Sequence, residues 1–182
     1  QEKELLNVGM GNKYEVVEMS DMRTENVELK NRICREASMG EIREAIIEDA
    51  SSIAEISRSS LGYQCDSSLV ARRLREMDSD KQKVYVAVEN NVVIGFVHVE
   101  LYQLLYQNDL ANVLGLAVRK DMQKKGYGKK LMHYVECWAE KMNCDAVRLN
   151  SGIQRKEAHD FYKALGFENT KAQKRFVKHI QR

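Results

Sequence analysis

Two periods of apolar residues run along this chain, and the points where one gives way to the other mark its elements. EIREAII (41–47) reads as a strand leading out to Glu48-Asp49. Asp49 is placed to cap a helix, its carboxylate accepting from the unpaired N–H groups of a first turn. Ala50, Ile53 and Ala54 follow at helical spacing, with Ile56 three residues on from Ile53. LGYQCD (61–66) reads as a loop, and Asp66 caps a second helix that carries Leu69, Val70, Leu74 and Met77. In KVYVAVENNVVIGFVHVELYQ (83–103), two β-rich runs flank Asn90-Asn91, a hairpin whose asparagines tolerate the left-handed turn. ANVLGLAV (111–118) is apolar on both faces, as a central strand is.

A glycine-lysine loop follows, then a helix with Leu131, Tyr134, Val135, Trp138 and Met142 on one face. DAVRLNS (145–151) reads as a strand. RKEAHDFYKALGF (155–167) reads as a short helix with Ala158, Phe161, Tyr162 and Leu165 on one face and Gly166 as its left-handed C-cap. QKRFVKHI (173–180) reads as a last strand. The order β-α-α-β-β-β-α-β-α-β predicts a single α/β (α+β) domain with a mixed sheet over residues 41–182. Residues 1–40 are polar and poorly patterned and read as an N-terminal extension, either a flexible arm or a helix over TENVELKNRICREA (24–37) with Val27, Ile33 and Cys34 as a thin stripe.

Composition narrows the classes. The 182 residues suffice for one domain with a sizeable core. Apolar runs such as 91–99 are too short to span a bilayer, and the acidic, polar N-terminus is not a signal peptide, so no membrane partner is expected. A net charge of +2 argues against a dedicated nucleic-acid binder. Cys34, Cys65, Cys137 and Cys144 form no CxxC and have no metal-ligand spacing. They read as structural thiols of a reducing cytoplasm, with no metal; Cys137 and Cys144 fall on one helical stretch.

The basic residues are uneven: Arg119, Lys120, Lys124, Lys125, Lys129 and Lys130 crowd one segment, VRKDMQKKGYGKKL (118–131). Within it Gln123-x-x-Gly126-x-Gly128 lies between a central strand and a long helix. N–H groups of a first helical turn have no intrahelical partner, and with the helix dipole they form an anion site. Glycine lets the backbone approach a bulky anion without a Cβ in the way. Physics alone therefore gives a phosphate-bearing ligand at this helix start. No GxxxxGK[ST] string occurs, and Leu131 stands where a GxGxxG loop needs its third glycine.

The segment resembles motif A of the GNAT superfamily of N-acetyltransferases, (Gln/Arg)-x-x-Gly-x-(Gly/Ala) after a strand ending in Leu-x-Val. Leu116-Ala117-Val118 precedes Gln123, Gly126 and Gly128 at that spacing. AHDFYKALGF is similar to motif B, with Ala158, Phe161, Tyr162, Gly166 and Phe167 in place, and IREAIIEDASSIAEI looks like the first strand and helix. The resemblance covers residues 41 to 180. It implies the GNAT fold, a central, mixed, mostly antiparallel twisted sheet flanked by helices. It also implies acetyl-CoA as co-substrate in a splayed gap between two central strands. Leu116 and Val118, around Ala117, would offer backbone groups to the pantetheine arm. The N–H groups of Gln123, Lys124, Lys125, Gly126, Tyr127, Gly128 and Lys129 would hold the pyrophosphate, and the lysines would face the phosphates.

Acetyl transfer to an amine needs a base, an acid at the departing thiolate and an oxyanion donor. The resemblance puts Tyr162 at the acid's position and the Val118 N–H at the oxyanion. The family's usual carboxylate, two residues before the Leu of Leu-x-Val, is replaced by Leu114. Candidate bases are Glu100 and His98, in phase on the preceding strand, or a water held by Asn112 or Asn150. Many relatives have Asn where Arg155 stands. Arg155-x-x-Ala158-His159-x-Phe161-Tyr162 with Arg175-Phe176-x-Lys178 is similar to a subgroup that includes aminoalkylphosphonate and other small-amine acetyltransferases. Arg155 or His159 would then hold the coenzyme's 3′-phosphate or an anionic acceptor, the alternative being a plain surface residue.

The expected function is acetyl transfer from acetyl-CoA to a small-molecule primary amine by direct attack. Its rivals are acetylation of a protein N-terminus or lysine, and a non-catalytic acyl-CoA-binding module. The loops near Leu61–Cys65 and Tyr102–Asp109 are expected to form the acceptor pocket. A homodimer is expected by resemblance to small members of the family.

Overall fold

The computed structural model describes residues 40–180. The expected helix over 24–37 and Cys34 lie outside them. Five strands form one sheet in the order β1 (Glu41–Glu44), β2 (Gln82–Glu89), β3 (Val92–Leu104), β4 (Gln107–Val118) and β5 (Ala146–Leu149). The first three pairings are antiparallel and β4–β5 is parallel. Helices α1 (Ala50–Ile56) and α2 (Ser67–Glu76) cover one face, where Ile53, Ile56, Val70 and Leu74 meet Val84, Val86, Phe96 and Ala117. Helices α3 (Tyr127–Lys141) and α4 (Lys156–Ala164) cover the other, where Leu131, Val135, Trp138 and Phe161 meet Ile94, Val97, Val99 and Val113. No helix among the described residues is long and apolar enough to cross a membrane.

The hairpin turn forms as its residues dictate, with Asn90 at φ 51° and Asn91 at φ 61°. Gly166 ends α4 at φ 88°, its N–H donating to the Lys163 carbonyl. Asp66 caps α2 by accepting from the Ser68 amide at 2.9 Å. Asp49 does something different from the cap expected of it. A short 3-10 turn, Ile47–Asp49, precedes α1, so the carboxylate reaches back to the Ile46 amide at 2.8 Å. It also takes a two-pronged Arg43 guanidinium at 2.7 and 2.9 Å. Burial alone would raise this carboxyl; the Arg43 and Ile46 hydrogen bonds outweigh it and hold it below the usual carboxylate range.

Asp49→Ala is therefore expected to cost about 2–4 kcal/mol at neutral pH, since it strands a half-buried guanidinium. The depressed carboxyl contributes fully above about pH 4 and loses its contribution as pH falls through the lower folded value. Urea unfolding of wild type and variant should converge between neutral pH and about pH 2. A gap independent of pH would remove the ion pair from the account.

Other expectations are corrected. The opening strand stops at Glu44, three residues short. Residues 102–109 are paired strand rather than loop, because β3 and β4 form a long hairpin that closes only at Leu105-Tyr106. α3 ends at Lys141, so Cys144 lies beyond it and does not share a helical face with Cys137. The last strand over 173–180 is absent: this stretch is irregular and exposed, Phe176 to 88%. Alternation puts Phe176, Lys178 and Ile180 on one side and Arg175, Val177 and His179 on the other. Neither side is apolar throughout, so pairing would bury charge along with the phenylalanine.

Candidate active site

β4 and β5 stay paired for four rungs only, from Leu110–Ala146 to Val113–Leu149. Beyond Val113, β4 continues against β3 alone. The β3–β4 register slips between His98 and Val99, leaving Leu114 as an extra residue, 48% exposed. A bulge of this kind bends and twists its strand, and here it coincides with the parting of β4 from β5. The Arg119 amide donates to the Ile94 carbonyl at 2.8 Å, which sets the phase of the ladder. By alternation, the peptide groups of Val118 and Leu116 point away from β3 and into the gap.

Two side chains close on that edge. The Val118 carbonyl accepts from Gln123 Nε2 at 3.0 Å and from Ser60 Oγ at 3.2 Å. Gln123 is thus engaged in fixing the strand end, with its side chain on Val118 and its backbone amide donating to the Lys120 carbonyl at 3.4 Å. Ser60 holds the start of the Leu61–Cys65 segment beside the same edge.

The loop then turns sharply, with Lys124 at φ 62° and Gly126 at φ 88°. α3 begins without a side-chain cap, and its first amide bonded inside the helix is that of Lys130, donating to the Gly126 carbonyl at 3.1 Å. The amides of Tyr127, Gly128 and Lys129 have no partner within the helix, so they present partial positive charge outward. Lys124 and Lys129 are exposed beside them, whereas Lys125 folds back so that Nζ lies 3.4 Å from the Met122 sulfur.

Three residues of this motif differ in role. Gly126 is required by its backbone: φ 88° suits glycine, and a Cβ there would meet nothing within 4 Å. At Gly128 a Cβ would lie 3.2 Å from Phe161 Cζ, so this glycine lets α4 close onto the start of α3. The space its missing side chain leaves is filled by Phe161. Tyr127 is buried, its hydroxyl donating to Glu89 and its ring lying where a Cβ on Gly40 would be 2.6 Å away. Its side chain anchors the helix start to the sheet, and only its amide faces outward.

Through Phe161 the same contact positions Tyr162, which packs edge-on against Phe161 at 5.3 Å and Phe167 at 5.8 Å. Burial pushes the Tyr162 phenol above its ordinary value, opposed by the Arg155 charge, so it keeps its proton through neutral pH. His159 Nε2 lies 3.0 Å from the Gly152 carbonyl, tying down the loop before α4, and Arg155 is exposed at the helix start.

Glu100 and His98 stand on the opposite face, the α1–α2 side, with Phe96. Asn112 Nδ2 donates to Glu100 at 2.8 Å, and His98 Nε2 lies 3.2 Å from Gln82 Oε1. Burial lowers the His98 imidazole below its ordinary value against the pull of Glu100. The structure thus brings Leu116, Val118 and the loop to one end of the sheet, packs Phe161, the neighbour of Tyr162, against Gly128, and sets Glu100 across the sheet from the α4 side. Sequence patterning missed Ser60, 58 residues from its partner, and Arg148, visible only as one polar break in β5. An open depression of about 650 Å³ between α1 and α2, lined by Glu55, Arg58, Gln64 and Asp66, contains none of these residues. Among the described residues no group of three His, Cys, Asp or Glu side chains could hold a metal ion.

A sheet edge opened beside an amide-lined helix start, in an α/β fold, suits a phosphate-bearing ligand with an extended arm. The chain belongs to the acetyltransferase (GNAT) family, whose model matches residues 45–167, and is an acetyl-CoA-dependent acetyltransferase of that family. It is 26% identical over 135 residues to an aminoalkylphosphonate N-acetyltransferase of Salmonella typhimurium, covering 71% of this chain and 86% of that one. It is 44% identical over 50 residues to the uncharacterized N-acetyltransferase YhdJ of Bacillus subtilis, a stretch that spans only 28% of this chain and 35% of that protein. Among solved structures, AAC(6')-Iy in complex with a bisubstrate analog, CoA-S-monomethyl-acetylneamine, is similar with a TM-score of 0.69. At 18% identity, over 79% of this chain and all of that one, that likeness speaks for the fold.

Proposed function

We propose that the protein transfers the acetyl group of acetyl-CoA to the primary amine of a small molecule. The observation that supports this reading is at Gly128, where a Cβ would press on Phe161, the neighbour of Tyr162, at the amide-lined start of α3. The residues fit the coenzyme: outward amides at Tyr127, Gly128 and Lys129 with exposed lysines for the pyrophosphate, and the Leu116 and Val118 edge for the pantetheine amides.

When bound, acetyl-CoA supplies the activated acyl group, and the amine's N–C bond forms as the C–S bond breaks. Tyr162 holds a proton at its phenol oxygen and gives it to the departing sulfur. The Val118 amide, turned into the gap, donates to the carbonyl oxygen as charge gathers there. Glu100, held by Asn112, is the base of this reading; it pairs five residues along β3 from the partner of Val118, so the proton lost by the amine reaches it through a chain of waters. In this reading the acid comes from the α4 face of the sheet and the base from the α1–α2 face.

The test is amine-dependent release of free thiol from acetyl-CoA, with the acetylated amine identified by mass. Coenzyme binding without thiol release on any amine would leave a non-catalytic acyl-CoA-binding module. Glu100→Gln is expected to lower turnover by about 100-fold with coenzyme affinity unchanged. Equal turnover in that variant would take Glu100 out of the proton path.

A further inference from the structure

Four polar side chains form one row across the α1–α2 face of the sheet. Gln82 is opposite Glu100, Glu100 opposite Asn112, and Asn112 opposite Arg148 in three successive strand pairings. Val99, Leu101, Ala111, Val113, Val147 and Leu149, the strand neighbours of the last three, all belong to the other core, so those three share this face. Nearer the hairpin turn the same face is Val84, Val86, Phe96 and Ala117, packed under α1 and α2. Apolar packing therefore stops where the row begins.

The row carries two opposite charges that do not meet. Glu100 is half-buried and is held by Asn112. Arg148 is half-buried, its guanidinium carbon 4.7 Å from the Tyr102 ring centroid and Nη2 donating to Asn150 Oδ1 at 3.3 Å. Among the described residues no ion pair includes either one. Asn112 lies between them, only 9% exposed, and its Oδ1 has no hydrogen-bond partner there. A buried amide oxygen left without a donor is costly. With the Glu100 carboxylate it makes a pair of acceptors suited to an amine, while Arg148, from the next strand and lying over Tyr102, offers a planar fork suited to a carboxylate or phosphonate.

We propose that this row is the acceptor subsite and that it takes a compact zwitterionic amine. The nitrogen lies against Glu100 and Asn112 Oδ1, and the acid group of the same molecule lies against Arg148. Tyr102 stacks on the guanidinium and keeps its fork aimed across the face. Arg148 is then the residue that sets specificity, and it takes no part in the bond changes. This inference rests on the acetyl-transfer reading for the identity of the site, and uses none of the loop residues.

The experiment compares three primary amines of matched chain length: an ω-amino acid or aminoalkylphosphonate, an alkylamine and a diamine. The zwitterion is expected to be the best substrate, by about tenfold or more in kcat/KM. Arg148→Gln should raise its KM by about the same factor, leave kcat nearly unchanged and leave the alkylamine unaffected, and Arg148→Lys should restore part of the loss. Calorimetric titration of the zwitterion into the coenzyme A-bound protein gives a readout independent of turnover, and binding should weaken in Arg148→Gln. A wild-type preference for the alkylamine or the diamine would overturn the proposal, as would an Arg148→Gln variant that loses all amines alike. If no amine releases thiol, the acetyl-transfer reading has failed; the titration then stands alone, and absence of zwitterion binding overturns the subsite.

Discussion

Tyr162→Phe is expected to lower turnover by about 100- to 1000-fold while coenzyme affinity stays within about twofold. The phenol oxygen is the only atom the change removes. The ring stays, and with it the edge-on contacts to Phe161 and Phe167 that hold α4 in place. Burial raises this phenol, so it is protonated wherever the enzyme works and can donate to a thiolate as one forms. A structural tyrosine would respond otherwise, losing stability and leaving the chemical step alone. Single-turnover rates with acetyl-CoA and an amine, set beside thermal unfolding of both proteins, separate the two. An unchanged chemical step would remove Tyr162 from the mechanism.

Gly126→Val is expected to weaken coenzyme binding on the order of 100-fold, the equivalent of two charge-assisted hydrogen bonds at about 1.5 kcal/mol each. Two effects add. A β-branched residue resists φ 88°, which costs about 1–3 kcal/mol or relaxes the loop. The new methyls project into space where nothing of the protein lies within 4 Å of a Cβ and where the pyrophosphate must approach. The protein should still fold, because no core atom is displaced. Coenzyme titration by calorimetry, with circular dichroism as the control for folding, checks both halves. Wild-type affinity in a folded variant would contradict the assignment of the loop.

Gly128 offers an informative contrast. Its Cβ would press on Phe161, so a substitution there shifts α4 and disturbs acid and cradle together. Neighbouring glycines of one motif thus serve different ends, and spacing alone could not tell them apart.

What was legible in the sequence is what local chemistry decides. Asn90-Asn91 gives its turn, Asp66 its cap, Gly166 its helix end, and Gly126 the uncapped helix start at Tyr127, because each depends on residues a few positions apart. The row of Glu100, Asn112 and Arg148 was not legible as a row. It exists only through the strand registers, and the slip that leaves Leu114 over has no mark in the sequence. Position counting from Leu116 makes Leu114 look like a lost carboxylate, while the carboxylate of this face comes from β3. Asp49 went astray for a similar reason: Arg43, on the strand before, competes for its oxygens and wins. The missing strand at 173–180 shows the limit of alternation, since pattern proposes a strand and an apolar face has to accept it.

The most direct measurement is a structure with coenzyme A bound. The account predicts the pyrophosphate on the amides of Tyr127, Gly128 and Lys129, the pantetheine arm along Leu116–Val118, and the sulfur within about 4 Å of the Tyr162 hydroxyl. A coenzyme seated elsewhere, or a sulfur out of reach of Tyr162, would contradict it.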